Sequence, residues 1–142
     1  MTDPVSHATV SGEGGPTVEM ASVQVPADPA FLTVVRTCTA ALAARRDFTL
    51  DDIEDLRIAV DEAAAMLLTE AVPGSDLTVT FELLEDAVRV HVATRTLDGS
   101  GPDQETFAWT VLQALTDDLA AGSQGDLVTV MLLKRRADAL AA

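Results

Sequence analysis

Apolar residues along the chain switch between a period of two and a period near 3.6, and these switches lay out the elements. Val23 and Val25 share one face of a candidate strand over Val18–Val25, which Pro26 ends. Asp28-Pro29 then reads as a helix start, with Asp28 as N-cap and Pro29 at the first helical position. Phe31, Val34, Val35, Cys38 and Leu42 follow helical spacing and form a core stripe, which makes Cys38 a buried, inert thiol. Thr49 opens a second helix over Leu50–Ala71, and Asp52 three residues later makes a variant of the capping box. Ile53, Leu56, Val60, Ala63, Ala64, Leu67 and Ala71 give it a continuous apolar stripe before Pro73-Gly74 stops it.

The period then drops to two. Leu77, Val79, Phe81 and Leu83 alternate with polar residues, Glu85-Asp86 turns the chain, and Val88, Val90 and Val92 form the second arm of a hairpin. His91 is on the polar side of that arm and reads as a surface histidine, because the only other histidine is His7 near the start. Leu97–Gln104 is a loop rich in Gly, Asp and Pro. A third helix is predicted over Glu105–Ala121, with Phe107, Val111, Leu112, Leu115 and Leu119 facing inward. Gly122–Asp126 turns into a strand at Leu127–Leu133, apolar on both faces and therefore covered or central. The predicted order is β-α-α-β-β-α-β. Its natural solution is an α+β two-layer sandwich, a mostly antiparallel sheet with helices on one face.

Composition narrows this picture. The chain has 142 residues, the size of one domain, and is 48% apolar but only 4% aromatic, so Leu, Val and Ala must fill the core. Residues 1–17, with Gly12, Gly14, Gly15 and Pro16, read as a tail, 18–136 as the folded domain and 137–142 as a second tail. A net charge of −14 argues against direct nucleic-acid binding, although Lys134, Arg135 and Arg136 sit together. With one cysteine there is no intrachain disulfide. Neither a secretory leader nor a membrane span is evident, so the expected compartment is the cytoplasm.

The second helix also carries the candidate chemistry. Opposite its core stripe lie Ile58, Glu62, Met66 and Thr69, spaced by three and four. A carboxylate flanked one turn either way by Ile58 and Met66 fits a second packed surface or pocket. Scattered exposed apolar residues would give the same pattern.

The stretch Leu56-Arg57-Ile58-Ala59-Val60-Asp61-Glu62-Ala63 resembles the signature of RsbW-type anti-sigma factors, bacterial regulators built on the GHKL ATPase fold of histidine kinases. Phe107–Asp117 resembles that family's third conserved helix, Gly125 and the strand after it resemble its closing segment, and the likeness spans about Val18 to Leu133. The resemblance implies a homodimer that holds a sigma factor and meets an anti-anti-sigma protein, with Arg36 at a position used in partner docking. It also implies a glutamate that assists catalysis, here Glu62, and an asparagine that ligates magnesium at the ATP phosphates. Met66 stands at the asparagine position.

The phosphate-handling parts depart further. A thioether cannot replace an amide oxygen on hard magnesium. The family's Asp-x-Gly-x-Gly box is matched either by Asp98-Gly99-Ser100-Gly101, with the glycines one residue early, or by Thr94 and Thr96 at the aspartate and first glycine positions. Gly99 and Gly101 read most simply as a flexible turn. Gln104-Glu105-Thr106-Phe107 replaces the glycine-rich segment before the third helix, and Glu105 adds negative charge there. The expectation is an anti-sigma factor that works by binding, without a metal and with ATP binding weak or lost. The alternatives are an active ATP-dependent serine protein kinase that acts on an anti-anti-sigma partner, and an unrelated module that shares only the fold.

Overall fold

The computed structural model describes residues 18–137. Its elements are β1 (Glu19–Pro26), α1 (Leu32–Ala44), α2 (Leu50–Leu68), β2 (Asp76–Leu83), β3 (Ala87–Arg95), α3 (Phe107–Leu115), β4 (Asp118–Gln124) and β5 (Leu127–Arg135). The five strands form one antiparallel sheet in the order β1-β2-β3-β5-β4, and the helices cover one face. This is the expected two-layer α+β sandwich. The expected tails at residues 1–17 and 137–142 lie outside the described residues except for Ala137.

One element corrects the sequence expectation. The last four residues predicted for a long third helix, Asp118–Ala121, belong to β4, and α3 is only nine residues long. Thr116 leaves the helical region at φ −126 and ψ 161, and the Asp117 backbone N–H donates to Leu133 O at 2.8 Å. The chain then runs back along β5 and reverses at Gly125-Asp126, where Gln124 faces Leu127. The turn is therefore shorter than Gly122–Asp126, and the order gains a strand, becoming β-α-α-β-β-α-β-β.

Local signals at the helix starts hold. The Asp28 carboxylate accepts from the Ala30 backbone N–H at 2.9 Å and heads a 3₁₀ turn, Pro29–Phe31, that leads into α1. The Thr49 hydroxyl accepts from the Asp52 N–H at 3.1 Å. Asp52 does not close the capping box; its carboxylate, buried, accepts from the Ala137 N–H at 3.1 Å instead.

The core lies between helices and sheet. Along α1 the buried stripe is Leu32, Val35, Thr39 and Ala43, about one residue out of phase with the prediction. Phe31 and Val34 are exposed, while Cys38 and Leu42 pack partly against the core. Thr39 is tolerated inside because its hydroxyl donates to Val35 O at 2.8 Å. Along α2, Leu56, Val60, Ala63, Ala64 and Leu67 are buried as expected, Ala59 joins them, Ile53 packs only partly against the core, and the helix stops at Leu68, three residues short of Ala71. On α3 the buried residues are Trp109 and Leu112, while Phe107, predicted to face inward, is 82% exposed. Every second residue of β2, β3 and β5 points into the layer, and Phe81, Leu77, Val90, Val92, Val128 and Leu132 form its sheet side.

Candidate functional site

Where α2 ends, three segments converge on a cleft of about 410 Å³. The end of α2 and the turn after it supply Met66, Thr69 and Glu70. The loop after β3 supplies Ser100, Gly101, Pro102 and Asp103, and the start of α3 supplies Thr106 and Ala108. Backbone bonds fix the arrangement. Leu97 N–H donates to Glu70 O at 2.9 Å and Val72 N–H to Arg95 O at 2.8 Å, which ties the exit of α2 to the end of β3. The Thr106 hydroxyl accepts from the Trp109 N–H at 3.2 Å and starts α3, and the Asp103 carboxylate accepts from the Glu105 N–H at 2.9 Å just before it.

Of the residues singled out from sequence, the cleft gathers Met66 and Thr69 of the outer α2 face and Ser100 and Gly101 of the Asp98–Gly101 stretch. Glu62 is half-buried one turn before Met66 and lies outside the lining. Thr94 is 1% exposed, and its hydroxyl donates to Asp76 O at 2.8 Å, so it is committed to the fold. Asp98 is exposed, and the Ser100 backbone N–H it accepts holds its carboxyl below the usual range. Gly99 follows the Leu97-Asp98 bend. It sits at φ +73, and a Cβ there would lie 2.5 Å from Gly125 O. Gly99 N–H donates to the Thr96 hydroxyl at 3.0 Å, and Thr96 N–H donates to Asp126 O at 2.8 Å. Gly101 meets no such crowding.

Arg36 lies on α1 away from this cleft. Its guanidinium forks onto Asp61 of α2, with Nε at 2.9 Å from one carboxylate oxygen and a terminal nitrogen 3.3 Å from the other. With Thr33, Thr37, Ala40 and Arg57 it borders a shallow groove on the outer side of the two helices. A larger depression, about 590 Å³, opens at the other end of α2 beside Arg45, Arg46 and Arg136. Arg46 is engaged there with the Leu83 and Leu84 carbonyls and with Glu19, so it clamps the end of α1 to β1 and β2.

No family model matches the chain. A serine-protein kinase RsbW of Bacillus velezensis is 31% identical over 113 residues, which span 76% of this chain and 70% of that protein. The chain belongs to the RsbW family. An RsbW serine-protein kinase of Bacillus pumilus is 28% identical over 77% of the chain and 71% of its own length. An anti-sigma-F factor RsbW of Mycobacterium tuberculosis is 34% identical over 66% of this chain and 56% of its own. Among solved structures, one of RsbU and RsbW domains from Mycobacterium tuberculosis superposes with a TM-score of 0.67 at 18% identity, covering 83% of this chain and 32% of that one. That likeness bears on the fold.

Set against the RsbW pattern, the cleft fits magnesium-bound ATP badly. Its donors are hydroxyls, a soft thioether and the carboxylates of Glu70 and Asp103, and no Lys, Arg or His lines it. Carboxylates without cations repel a triphosphate. Thr94, at the aspartate position in one alignment, is sealed in the core and cannot read a base.

Sequence reasoning missed Glu70, Pro102, Asp103, Thr106 and Ala108. Glu70 had a signal, since it follows Met66 by four residues and would continue the same helix face. The others owe their place to how the loop is pinned on the β4–β5 turn, which no local pattern carries.

Proposed function

We propose that this chain is an anti-sigma factor that sequesters a sigma factor by binding, that an anti-anti-sigma protein competes for it, and that ATP chemistry has been lost. It acts as a cytoplasmic homodimer, makes no direct contact with nucleic acid and needs no membrane. Among the described residues no helix is long and apolar enough to cross one. The carrying observation is the lining of the cleft at the end of α2. Met66 stands at the family's magnesium-ligating position, with Glu70 and Asp103 beside it and no cation opposite. Sequestration needs a surface and no chemical step, so it survives that loss. Arg36 on the outer side of α1 is the proposed partner contact, supported by its 40% exposed side chain and the groove beside it.

The test is a pull-down from the native cell with and without Mg-ATP. A sigma factor captured equally under both conditions is the expected result; capture that requires Mg-ATP overturns the loss of nucleotide use. The alternative is an active serine protein kinase with Glu62 as the assisting carboxylate, favoured by the names of the two Bacillus relatives. Phosphate transfer from labelled ATP to a co-purified partner, absent in Glu62→Ala, would establish it in place of binding alone.

A further inference from the structure

We infer that the cleft at the end of α2 receives a basic, apolar-bearing segment of a protein partner, with a Lys or Arg side chain against Glu70 and Asp103 and apolar side chains against Met66, Pro102 and Ala108. This rests on the reading of the chain as a protein-binding regulator and names the chemistry of what enters.

The chemistry follows from what lines and bounds the cleft. Met66, Pro102 and Ala108 give it an apolar interior, and Glu70 and Asp103 are its only charged lining residues. Neither carboxylate is in an ion pair among the described residues. The helix α2 ends here with no basic residue in its last turn, and its terminal carbonyls are met by neutral donors only, the Thr69 hydroxyl at Met66 O and the Glu70 and Ala71 N–H groups at Leu67 O and Leu68 O. Two large apolar side chains stand out to solvent on the bounding segments: Phe107, between the lining residues Thr106 and Ala108, at 82% exposure, and Leu97, bonded through its backbone to Glu70, at 66%. They add apolar area beside the cleft for an incoming segment to cover.

Charge selects the occupant. An anionic ligand is repelled, and a neutral apolar one leaves two carboxylates without a counter-charge. Three of the chain's nine Lys and Arg residues, Arg45, Arg46 and Arg136, line the depression at the opposite end of α2, and Arg95, whose backbone borders the exit of α2, is paired with Asp126. A cationic amphipathic segment satisfies both the interior and the rim, as in other groove-bound peptides.

Trp109, the sole tryptophan, is buried next to the lining residue Ala108 and reports on the site. The full chain is titrated with a short lysine/leucine amphipathic peptide, a lysine/serine peptide of equal charge and a glutamate/leucine peptide. The lysine/leucine peptide is expected to saturate with a change in Trp109 emission, the lysine/serine peptide to bind about tenfold more weakly, and the glutamate/leucine peptide not to bind. Glu70→Gln/Asp103→Asn is expected to weaken the lysine/leucine peptide about tenfold. Asp51→Asn/Glu85→Gln, an equal loss of charge at the far end of α2, is expected to leave it within about twofold. Equal losses in the two double variants, equal binding of both lysine peptides, or displacement of the peptide by Mg-ATP overturns the inference. In the sigma-factor pull-down, capture unchanged by Glu70→Gln/Asp103→Asn also overturns it and leaves the anti-sigma reading intact. A wild-type chain that binds the peptide yet captures no sigma factor overturns the anti-sigma reading and leaves the chemistry of the cleft standing.

Discussion

Arg36 and Asp61 join α1 to α2 through a two-point fork, 2.9 and 3.3 Å, on the side of the helices away from the sheet. Asp61 immediately precedes Glu62, so the motif that carries the family resemblance also sets the direction of the proposed docking arginine. The pair is partly exposed, at 40% and 34%, which places its worth in the range of ~0.2–1 kcal/mol.

Structural and docking roles of Arg36 separate in a charge swap. Arg36→Glu is expected to lower stability by about 1 kcal/mol, from the lost pair and the new repulsion with Asp61. Adding Asp61→Arg is expected to recover most of that in urea denaturation. Sigma-factor capture is expected to stay lost in the double variant. Capture restored along with stability would make Arg36 a helix clamp and nothing more.

Gly99→Ala is expected to destabilise the chain by about 1–3 kcal/mol, because the residue has positive φ and its Cβ would meet the Gly125 carbonyl. Gly101→Ala, with open space around it, is expected to change the urea midpoint little. Similar midpoints for the two variants would show that Gly99 is free to move.

Mg-ATP is expected to give no saturable micromolar heat in calorimetry, and Met66→Asn alone is expected not to create it. One amide restores one hard oxygen donor, but Glu70 and Asp103 still oppose the phosphates. Tight binding by the wild type, lost in Glu62→Ala, would instead favour the kinase.

Acid pH probes the open face of the sheet. Burial pushes the Glu82 carboxyl up, but the His91 hydrogen bond at 2.7 Å and the nearby Arg89 guanidinium outweigh it and hold Glu82 below its usual 4.5. A depressed carboxyl stabilises the fold above its unfolded pKa, and that contribution fades as pH falls through the folded value. Glu82→Gln is therefore expected to be less stable than wild type at pH 7, by less than about 1 kcal/mol for so exposed a pair, with the gap closing below about pH 4. A gap that persists unchanged at acid pH would point to packing instead of charge.

Most of the fold was legible because the core-facing stripes of α2, β2, β3 and β5 keep one period from end to end. The error at β4 has a specific cause. Leu115 and Leu119 are four apart, which a helix demands, but Leu119 and Ala121 are two apart, which an edge strand allows equally. What decides is long-range pairing with β5, and the Thr116-Asp117-Asp118 cluster was the local hint of the break. The exposure of Phe107 has a similar origin, since α3 is anchored by Trp109 and Leu112 and turns its first residue outward. At the site, Met66 was readable because it belongs to a helical face. Thr94 belongs to the inward set of Val88, Val90 and Val92, one step past where the predicted alternation stops, so its expected ligand position missed that it points into the core.

The seat of Gly99 on Gly125 makes the loop over Ser100–Asp103 an extension of the β4–β5 hairpin. A wall anchored to the sheet loses its conformational freedom when the protein folds, and not when a partner arrives. A segment proposed to enter the cleft then meets a wall held at Gly99, so less ordering cost falls on binding, and that saving lengthens the stay of a segment that fits.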